Sequence, residues 1–419
     1  MTNKKLFFVT FLVMFFLANA QERIIDTVYI FDRHLYDAEK TQTISTINSE
    51  DFKKNTTSLS DVLRFQSFIY IKENGRGSVS SPSFRGTTAQ QTAFVWNGIN
   101  INSIFLGQGD LANLNLLGYD YLDIKSGGGS VIYGSGAIGG TVHMNNKILF
   151  NKGLKNSLFV EYASFQTLNS SLKTSFSDEK LSIQFSATHS QSQNEYEVPK
   201  KNYINLNGKY HNTNIDFGVG YKINAKNILY WQTQIFDGLQ HFPIFFDTQT
   251  RTKYTTETFR SLISWNYKSK KINNYVRTAY LEDNFNYFSD IRRSKTSGGI
   301  SKTIILKNDF NYLISKDWSI NAISEFQNQQ AEGYQSEIKN SKRNLISFSG
   351  LLKYTNVHKI YLELGLKKDF LEEFKTPVLF SFGGSYRFAD WYLLKINASK
   401  NFRYPTFNDL YWQPGGNPN

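Results

Sequence analysis

Residues 126–144 read SGGGSVIYGSGAIGGTVHM, and this stretch separates two different kinds of sequence. It holds seven glycines and almost no charge. Glycine reaches positive φ without a clash at Cβ and lets two backbones approach closely. The pattern predicts a loop, a short strand over 130–134, a glycine-rich turn and a second short strand over 141–144. A phosphate-binding loop is disfavoured, because no helix start and no Lys-Ser/Thr pair accompany the glycines.

The composition favours a sheet with one apolar face and one wet face. The 419 residues include 35 Phe and 25 Tyr, yet the mean hydropathy is only -0.41. The chain has no Cys, which excludes disulfides, thiolate zinc sites and thiol nucleophiles. The net charge of +12 is scattered along alternating segments, so no nucleic-acid partner is expected.

The N-terminus has the three parts of a secretory signal peptide over residues 1–20. Lys4 and Lys5 form the charged region, residues 6–17 are apolar, and Ala18-Asn19-Ala20 is a small-x-small cleavage site. The apolar run is too short to cross a bilayer. Residues 21–40 then contain a short β-forming segment, 26–30, which either pairs with the sheet edge of a partner or forms the first strand of the next domain.

Residues 41–147 predict a compact α+β domain. Segments 43–47, 69–72 and 93–96 have strand patterns, and a helix is expected around 61–65, capped by Ser58 or Ser60. The dipeptide Asn97-Gly98 lies between apolar runs, which is a strong hairpin signal.

Residues 148–419 predict an antiparallel transmembrane β-barrel. About fourteen alternating segments, each near the ~10-residue length of a tilted membrane strand, are separated by tight turns and long polar loops in alternation. The segments begin near residues 157, 169, 180, 202, 213, 227, 256, 270, 300, 317, 342, 357, 376 and 390, and the long loops are 189–201, 236–255, 284–299 and 331–341. A soluble sandwich or propeller is the competing fold, but its outward faces would be polar.

Several motifs together resemble the TonB-dependent outer-membrane receptor family, nearest to its cobalamin-receptor branch. Residues 58–64, 83–87, 94–98 and 133–140 resemble successive plug-domain motifs, and residues 401–411 with 416–418 resemble a late barrel motif. The resemblance assigns TonB binding to Asp26, Thr27, Val28, Tyr29 and Ile30, plug-motif roles to Arg85, Gly86, Asn97, Gly98, Gly134, Gly136, Gly139 and Gly140, and barrel-motif roles to Arg403, Pro405, Asn408, Asn417 and Pro418.

This chain also departs from the family pattern. Asn97 replaces the usual Asp, Asp123 replaces a usual Glu, and Ser126 stands where Arg is frequent, so an ion pair between plug and barrel is not expected at that last position. The family barrel has 22 strands, and about fourteen are counted here. A sheet left open in lipid has unsatisfied edges, so the sequence predicts a C-terminally truncated receptor or a fragment that does not transport.

The resemblance implies energised uptake of a scarce bulky ligand, either cobalamin or a ferric siderophore, by a monomer in the outer membrane of a Gram-negative-type cell. TonB and outer-membrane lipid are the implied partners, and no cofactor or metal is expected. Arg85 either pairs with a barrel carboxylate, for which Glu161, Glu325 and Glu363 are candidates, or is a solvated loop arginine. The candidate ligand-binding residues are Ser81, Phe105, Gln108, His241 and Phe242. The aromatic loop that holds the last two could instead pack on itself.

No enzyme is predicted, because the six His form no HExxH motif and GxSxG is absent. The remaining alternatives are a passive porin or adhesin barrel and a non-functional fragment. A porin would lack both the domain at 41–147 and the segment at 26–30.

Overall fold

The chain folds into a small α+β plug and one large antiparallel sheet. The computed structural model describes residues 33–54, 58–73, 80–109, 111, 114–244, 246, 248–334, 338, 340–356, 359–413 and 415–417. The proposed signal peptide, Asp26 to Ile30 and Pro418 lie outside these described residues. The fold is mainly β, as the sequence predicts.

In the described residues the plug contains four short helices and seven strands. In chain order they are α1 (Arg33–Ala38), β1 (Ile44–Asn48), α2 (Ser49–Phe52), α3 (Leu59–Gln66), β2 (Tyr70–Glu73), β3 (Ser80–Ser83), β4 (Thr92–Trp96), β5 (Ile99–Asn100), β6 (Tyr121–Ser126), α4 (Ser130–Tyr133) and β7 (Gly140–Asn145). Five strands form one sheet in the order β1-β6-β7-β4-β5, in which β4 and β7 run parallel, and β2 pairs with β3.

Local sequence signals explain several of these elements. The Ser58 hydroxyl accepts a hydrogen bond from the Asp61 N–H and caps α3, as expected. Asn97 and Gly98 join β4 to β5 with φ values of 46° and 89°, the left-handed pair that a two-residue hairpin requires. The buried face of α3 packs with Phe94, Trp96 and Val142 in the plug core.

Two short strands were predicted in the glycine-rich stretch. The strand over 141–144 is present as β7, but the strand over 130–134 is wrong. Residues 130–133 form the one-turn helix α4 rather than a strand. The helix ends at Gly134, whose φ of 83° suits a helix C-terminus. An apolar run of four residues has no period that separates strand from helix, so its tertiary partners decide.

The described part of the large sheet contains thirteen antiparallel strands in sequence order. They are β8 (Gly153–Ala163), β9 (Thr167–Ser177), β10 (Leu181–Ser192), β11 (Tyr210–Asn224), β12 (Asn227–His241), β13 (Lys253–Lys268), β14 (Ile272–Phe288), β15 (Ser297–Leu313), β16 (Trp318–Tyr334), β17 (Ser341–Asn356), β18 (Ile360–Leu371), β19 (Val378–Ala389) and β20 (Tyr392–Lys400). Among the described strands, β8 pairs only with β9 and β20 only with β19.

The predicted count of about fourteen strands differs from the thirteen observed. The segment expected near 202 lies in the connection between β10 and β11, where only an isolated bridge joins Glu197 to Ile204. Several strands are also longer than expected, reaching 17 residues in β14, β15 and β16. The extra length comes from residues that the sequence had assigned to loops, including 236–241 and 284–288.

The two faces of the large sheet have opposite chemistry. On β12, Trp231 and Ile235 are 41% and 48% exposed on the outer face, whereas Gln232 and Gln234 are 2% and 1% exposed on the inner face. The same alternation recurs on β15 and β17. An apolar outer face and a polar inner face reverse the pattern of a soluble sandwich, so that alternative is wrong. Within the described part of the chain, no helix is long and apolar enough to span a membrane.

The plug packs directly against the inner face of this sheet. Its apolar core continues into Leu262 on β13, Leu281 on β14 and Ile305 on β15. Polar contacts surround this apolar junction: Gln234 donates to the Tyr119 hydroxyl at 2.8 Å, and Lys173 lies 2.7 Å from the Asp120 carboxylate. The plug therefore contacts several strands of the large sheet, which we call the wall.

Candidate functional site

A pocket of about 290 Å³ lies where one plug loop faces the inner wall of β12 to β14. Leu106, Gln108 and Gly109 form its plug side. Its wall side is rich in aromatic side chains, namely Phe236, Phe242, Tyr254, Phe285 and Tyr287. The rings of Phe236, Tyr254, Phe285 and Tyr287 face inward because they lie on the same alternating face of neighbouring strands, and Phe242 follows directly after β12. The site offers flat apolar surfaces with a few polar groups, which suits a bulky ligand.

Charged groups line the deeper part of the same pocket. Arg260 donates to the Gln234 side chain at 3.1 Å, and its guanidinium lies 3.6 Å from the Asp283 carboxylate. Each charge therefore has an opposite or dipolar neighbour, as buried charges require. Arg260 remains one of the lining groups, so a ligand oxygen could compete for its donors.

The plug loop 101–108 is held rigidly by Asn102. Its amide nitrogen donates to the carbonyls of Thr92 and Gly107 at 2.8 and 3.0 Å, and its amide oxygen accepts from the Phe94 N–H at 2.8 Å. Gly107 has a φ of 73°, which lets the loop turn back sharply. The loop thus presents Leu106 and Gln108 to the pocket from a fixed backbone.

The late barrel motif folds back onto this plug loop. After β20 the chain forms the short helix α5 (Phe407–Tyr411), and the Phe407 N–H donates to the Ile104 carbonyl at 3.0 Å. Arg403 lies 2.7 Å from the Asp409 carboxylate. Burial opposes ionisation of Asp409, but hydrogen bonds from the Thr406 N–H and from Arg403 outweigh it and hold the pKa of this carboxyl below its usual range.

The other barrel-motif residues take part in the same contact. The Pro405 carbonyl accepts from Arg343 on β17 at 2.9 Å, and the Asn408 N–H lies 3.4 Å from the Phe105 carbonyl. The Asn417 N–H donates to the Asp409 carbonyl at 2.8 Å. These residues thus join wall, plug loop and α5. Arg403 and Pro405 also line a cavity of about 70 Å³ beside them, together with Arg343.

The predicted ligand-binding residues separate into two groups. Gln108 and Phe242 line the pocket together. Phe105 is 1% exposed behind it, packed against Phe407 and edge-on to Phe285 at 5.2 Å. The His241 ring bonds to Asn207 at 2.9 Å, and Ser81 lies on β3 beside the pocket residue Ser80.

Sequence reasoning missed the wall residues Phe236, Tyr254, Phe285 and Tyr287. It assigned their segments to loops, whereas they lie at the ends of β12, β13 and β14. Their spacing of two, as in Phe285 and Tyr287, was the available signal, because alternate residues of a strand share one face.

Two of the predicted plug-motif glycines, Gly139 and Gly140, lie where a side chain would collide with other parts of the plug. A Cβ at Gly140 would be 2.6 Å from the Lys125 carbonyl oxygen, and one at Gly139 would be 2.5 Å from Thr87 Oγ1. Gly134 and Gly136 have φ values of 83° and 82°, and Gly86, at 85°, forms an open turn after β3. The hairpin Asn97-Gly98 meets the wall, since a Cβ at Gly98 would be 3.1 Å from the Arg277 guanidinium.

The ion pair expected for Arg85 is wrong. Arg85 is exposed at a turn with a φ of 49°, and among the described residues it forms no ion pair with Glu161, Glu325 or Glu363. Glu325 lies 3.2 Å from Lys307 and Glu363 lies 3.5 Å from Lys353, both lysines of the wall itself. The wall carboxylates are already neutralised within the sheet.

Buried side-chain contacts between plug and wall also occur at α1. The His34 ring lies 2.8 Å from Asp309 on β15, and Asp37 lies 2.8 Å from Lys353 on β17. His34, Asp37 and Lys353 are each at most 4% exposed. No group of three His, Asp or Glu side chains is placed to hold a metal ion within the described ranges.

A plug seated on the polar inner face of an antiparallel sheet, with a pocket at one end, defines the class of plugged outer-membrane barrels. Comparison with known proteins agrees with this class. Residues 37–141 match the TonB-dependent Receptor Plug Domain family. Two proteins described as "Vitamin B12 transporter BtuB" match most of the chain. The one from Photobacterium profundum is 20% identical over 90% of this chain, and the one from Vibrio vulnificus is 23% identical over 94%.

Among solved structures, the siderophore receptor PirA from Acinetobacter baumannii superimposes with a TM-score of 0.74 at 14% identity. The match covers 91% of this chain and 64% of PirA. The chain spans 61% and 65% of the length of the two transporters. Residues 37–141 thus resemble the plug domain of TonB-dependent receptors, and the fold of the chain resembles that of a siderophore receptor.

Proposed function

We propose that this protein is a TonB-dependent receptor that takes up cobalamin or a ferric siderophore across the outer membrane. The observation that carries the proposal is the position of the pocket. It lies between the plug loop 101–108 and the inner wall, on a plug that packs into that wall. A ligand held there cannot pass until the plug changes its shape or position.

The energy would come from TonB acting on Asp26 to Ile30. An extended segment can add as a strand to the edge of a partner's sheet, where its main chain supplies most of the affinity. The first described element after this segment is α1, in which His34 and Asp37 contact charged residues of the wall. A pull on the N-terminal segment would therefore act on a plug–wall contact.

Two observations bear on the ligand. The transporter relatives are described as carrying vitamin B12, which favours cobalamin. The pocket adds stacked and edge-on rings, such as Tyr254 against Phe285 at 5.8 Å, that suit a large flat ligand. Gln108 and Phe242 would touch the ligand directly, while Phe105 would support the loop from behind.

Replacing Val28 with Pro tests the proposal against a passive porin or adhesin. Proline removes a backbone donor and fixes φ, so strand addition to TonB should fail while ligand still binds. We expect uptake of radiolabelled cyanocobalamin or a ferric catecholate to fall to background, with surface binding retained. Val28→Ile is the matched control, because isoleucine keeps the strand. Equal uptake by the Pro variant would contradict the proposal and favour passive entry.

A further inference from the structure

Every main-chain carbonyl of α4 has a hydrogen-bond partner from another part of the chain. The Val131 carbonyl accepts from Ser349 Oγ at 2.8 Å, the Ile132 carbonyl from Lys307 Nζ at 3.3 Å, and the Ser130 carbonyl from Lys367 Nζ at 3.3 Å. These three donors lie on the wall strands β17, β15 and β18. The Tyr133 carbonyl accepts from Asn100 of the plug at 3.0 Å.

The other end of α4 is held from the segment after β20. The Ser130 N–H donates to Asn401 Oδ1 at 3.2 Å. A helix of one turn leaves nearly all its carbonyls and N–H groups without helical partners, so a buried one-turn helix needs outside donors and acceptors. The wall provides them, which explains why residues 130–133 form a helix despite a sequence equally suited to a strand.

The two lysines are themselves fixed by wall carboxylates. Lys307 lies 3.2 Å from Glu325, and Lys367 lies 3.2 Å from Asp369. Both lysine side chains are 6% exposed. Each ammonium group is therefore held by a carboxylate and still has an N–H donor that points to a carbonyl of α4. The wall carboxylates thus fix the donors in place before the plug binds.

We propose that Lys307, Ser349, Lys367 and Asn401 are positioning residues that hold the plug by the main chain of its glycine-rich turn. We call this arrangement the glycine-turn contact. It recognises the shape of α4 rather than its side chains, because the bonds go to carbonyl and N–H groups. The inference deepens the proposed function, which needs a seated plug, but it concerns a resting contact that can be measured without transport.

The test uses the absence of native cysteine in the chain. Val131→Cys would carry a buried thiol in α4, and Thr41→Cys would report on the plug near α1. In the purified full chain, Lys307→Met with Lys367→Met should speed maleimide labelling of the thiol at position 131 roughly tenfold, the effect of losing one to two charged hydrogen bonds. Labelling of the thiol at position 41 should stay unchanged. Lys302→Met, on the outer face of β15, is the matched control.

A second variant tests the same contact if the double variant Lys307→Met with Lys367→Met does not fold. Ser349→Ala removes one bond to α4 and leaves no buried charge, so it should speed labelling of the α4 thiol by roughly threefold to tenfold. Equal labelling of that thiol in this variant and in the unchanged background would overturn the inference. Faster labelling at both thiols would also overturn it, because it would indicate general loosening. A loss of uptake in the Val28→Pro experiment bears only on the proposed function.

Discussion

Two of the contacts between wall and plug differ in their chemistry. At α1, which we call the N-terminal contact, side chains pair with side chains: His34 with Asp309 and Asp37 with Lys353. At the glycine-turn contact, wall side chains bond to the plug main chain. The two contacts also differ in position, because α1 is the first described element after the proposed TonB-binding segment. A pull on that segment would reach the N-terminal contact first, so we expect this contact to open before the glycine-turn contact.

Removing the lysine of the N-terminal contact should have the largest effect. Lys353→Met removes the wall partner of the buried Asp37 carboxylate, which retains the plug residue Lys40 at 3.3 Å. A buried charge left wholly unpaired costs about 3–5 kcal/mol, so the loss here should lie near the lower end of that range. We expect the urea concentration at which a protease cleaves between residues 33 and 54 to fall sharply. Lys395→Met is the control, since Lys395 is an exposed lysine that bonds to the Glu39 carbonyl. Equal midpoints for the two variants would show that α1 is not held by this pair.

Crowding the glycine-rich stretch should have an intermediate effect. A Cβ in Gly140→Ala would lie 2.6 Å from a main-chain oxygen and from the Phe84 ring, neither of which can move freely. Overpacking of this kind costs about 1–3 kcal/mol. Gly350→Ala on β17 meets nothing within 4 Å and should leave stability nearly unchanged. Denaturation midpoints of the two variants measure the difference, and a tolerant Gly140 would mean that the close backbone approach is not required.

Changing Arg85 should have the smallest effect. This side chain is exposed and belongs to neither contact. Arg85→Ala should alter the free energy of plug unfolding by less than about 0.5 kcal/mol, as for most surface positions. A loss comparable with that of Lys353→Met would restore Arg85 as a plug anchor.

Sequence reasoning predicted the parts of the fold that depend on residues close together along the chain. Alternation predicted the large sheet and its reversed faces, and Asn97-Gly98 and Ser58 predicted a hairpin and a helix cap. It failed at α4, whose donors Lys307, Ser349 and Lys367 lie 175, 218 and 237 residues away along the chain from the carbonyls they bind. No local pattern reports contacts at such separations.

The candidate site was predicted only in part, again because sequence patterns report on neighbouring residues. Gln108 and Phe242 were found because each lies in a segment with a visible loop or aromatic signal. Tyr254 and Phe285 were missed because polar neighbours hid the alternation at the strand ends. Arg85 was preferred as an anchor on the strength of a motif, whereas the anchors at α1 are His34 and Asp37, which no motif marks.

The most direct test crosslinks plug and wall at each contact with a disulfide and then measures uptake. A Cβ on Gly383 would lie 3.1 Å from Thr41 Cβ, and one on Gly365 would lie 3.1 Å from Val131 Cγ1. Disulfides need Cβ atoms about 3.5–4.5 Å apart, so a small outward shift of the backbones would let each pair be joined. We predict that the oxidised Thr41→Cys/Gly383→Cys variant stops uptake until a reductant is added, while the oxidised Val131→Cys/Gly365→Cys variant keeps it. The single-cysteine variants are the controls. Uptake that survives the first tether, or that is abolished by the second, would contradict the central expectation of the account, that the N-terminal contact opens during transport while the glycine-turn contact stays closed.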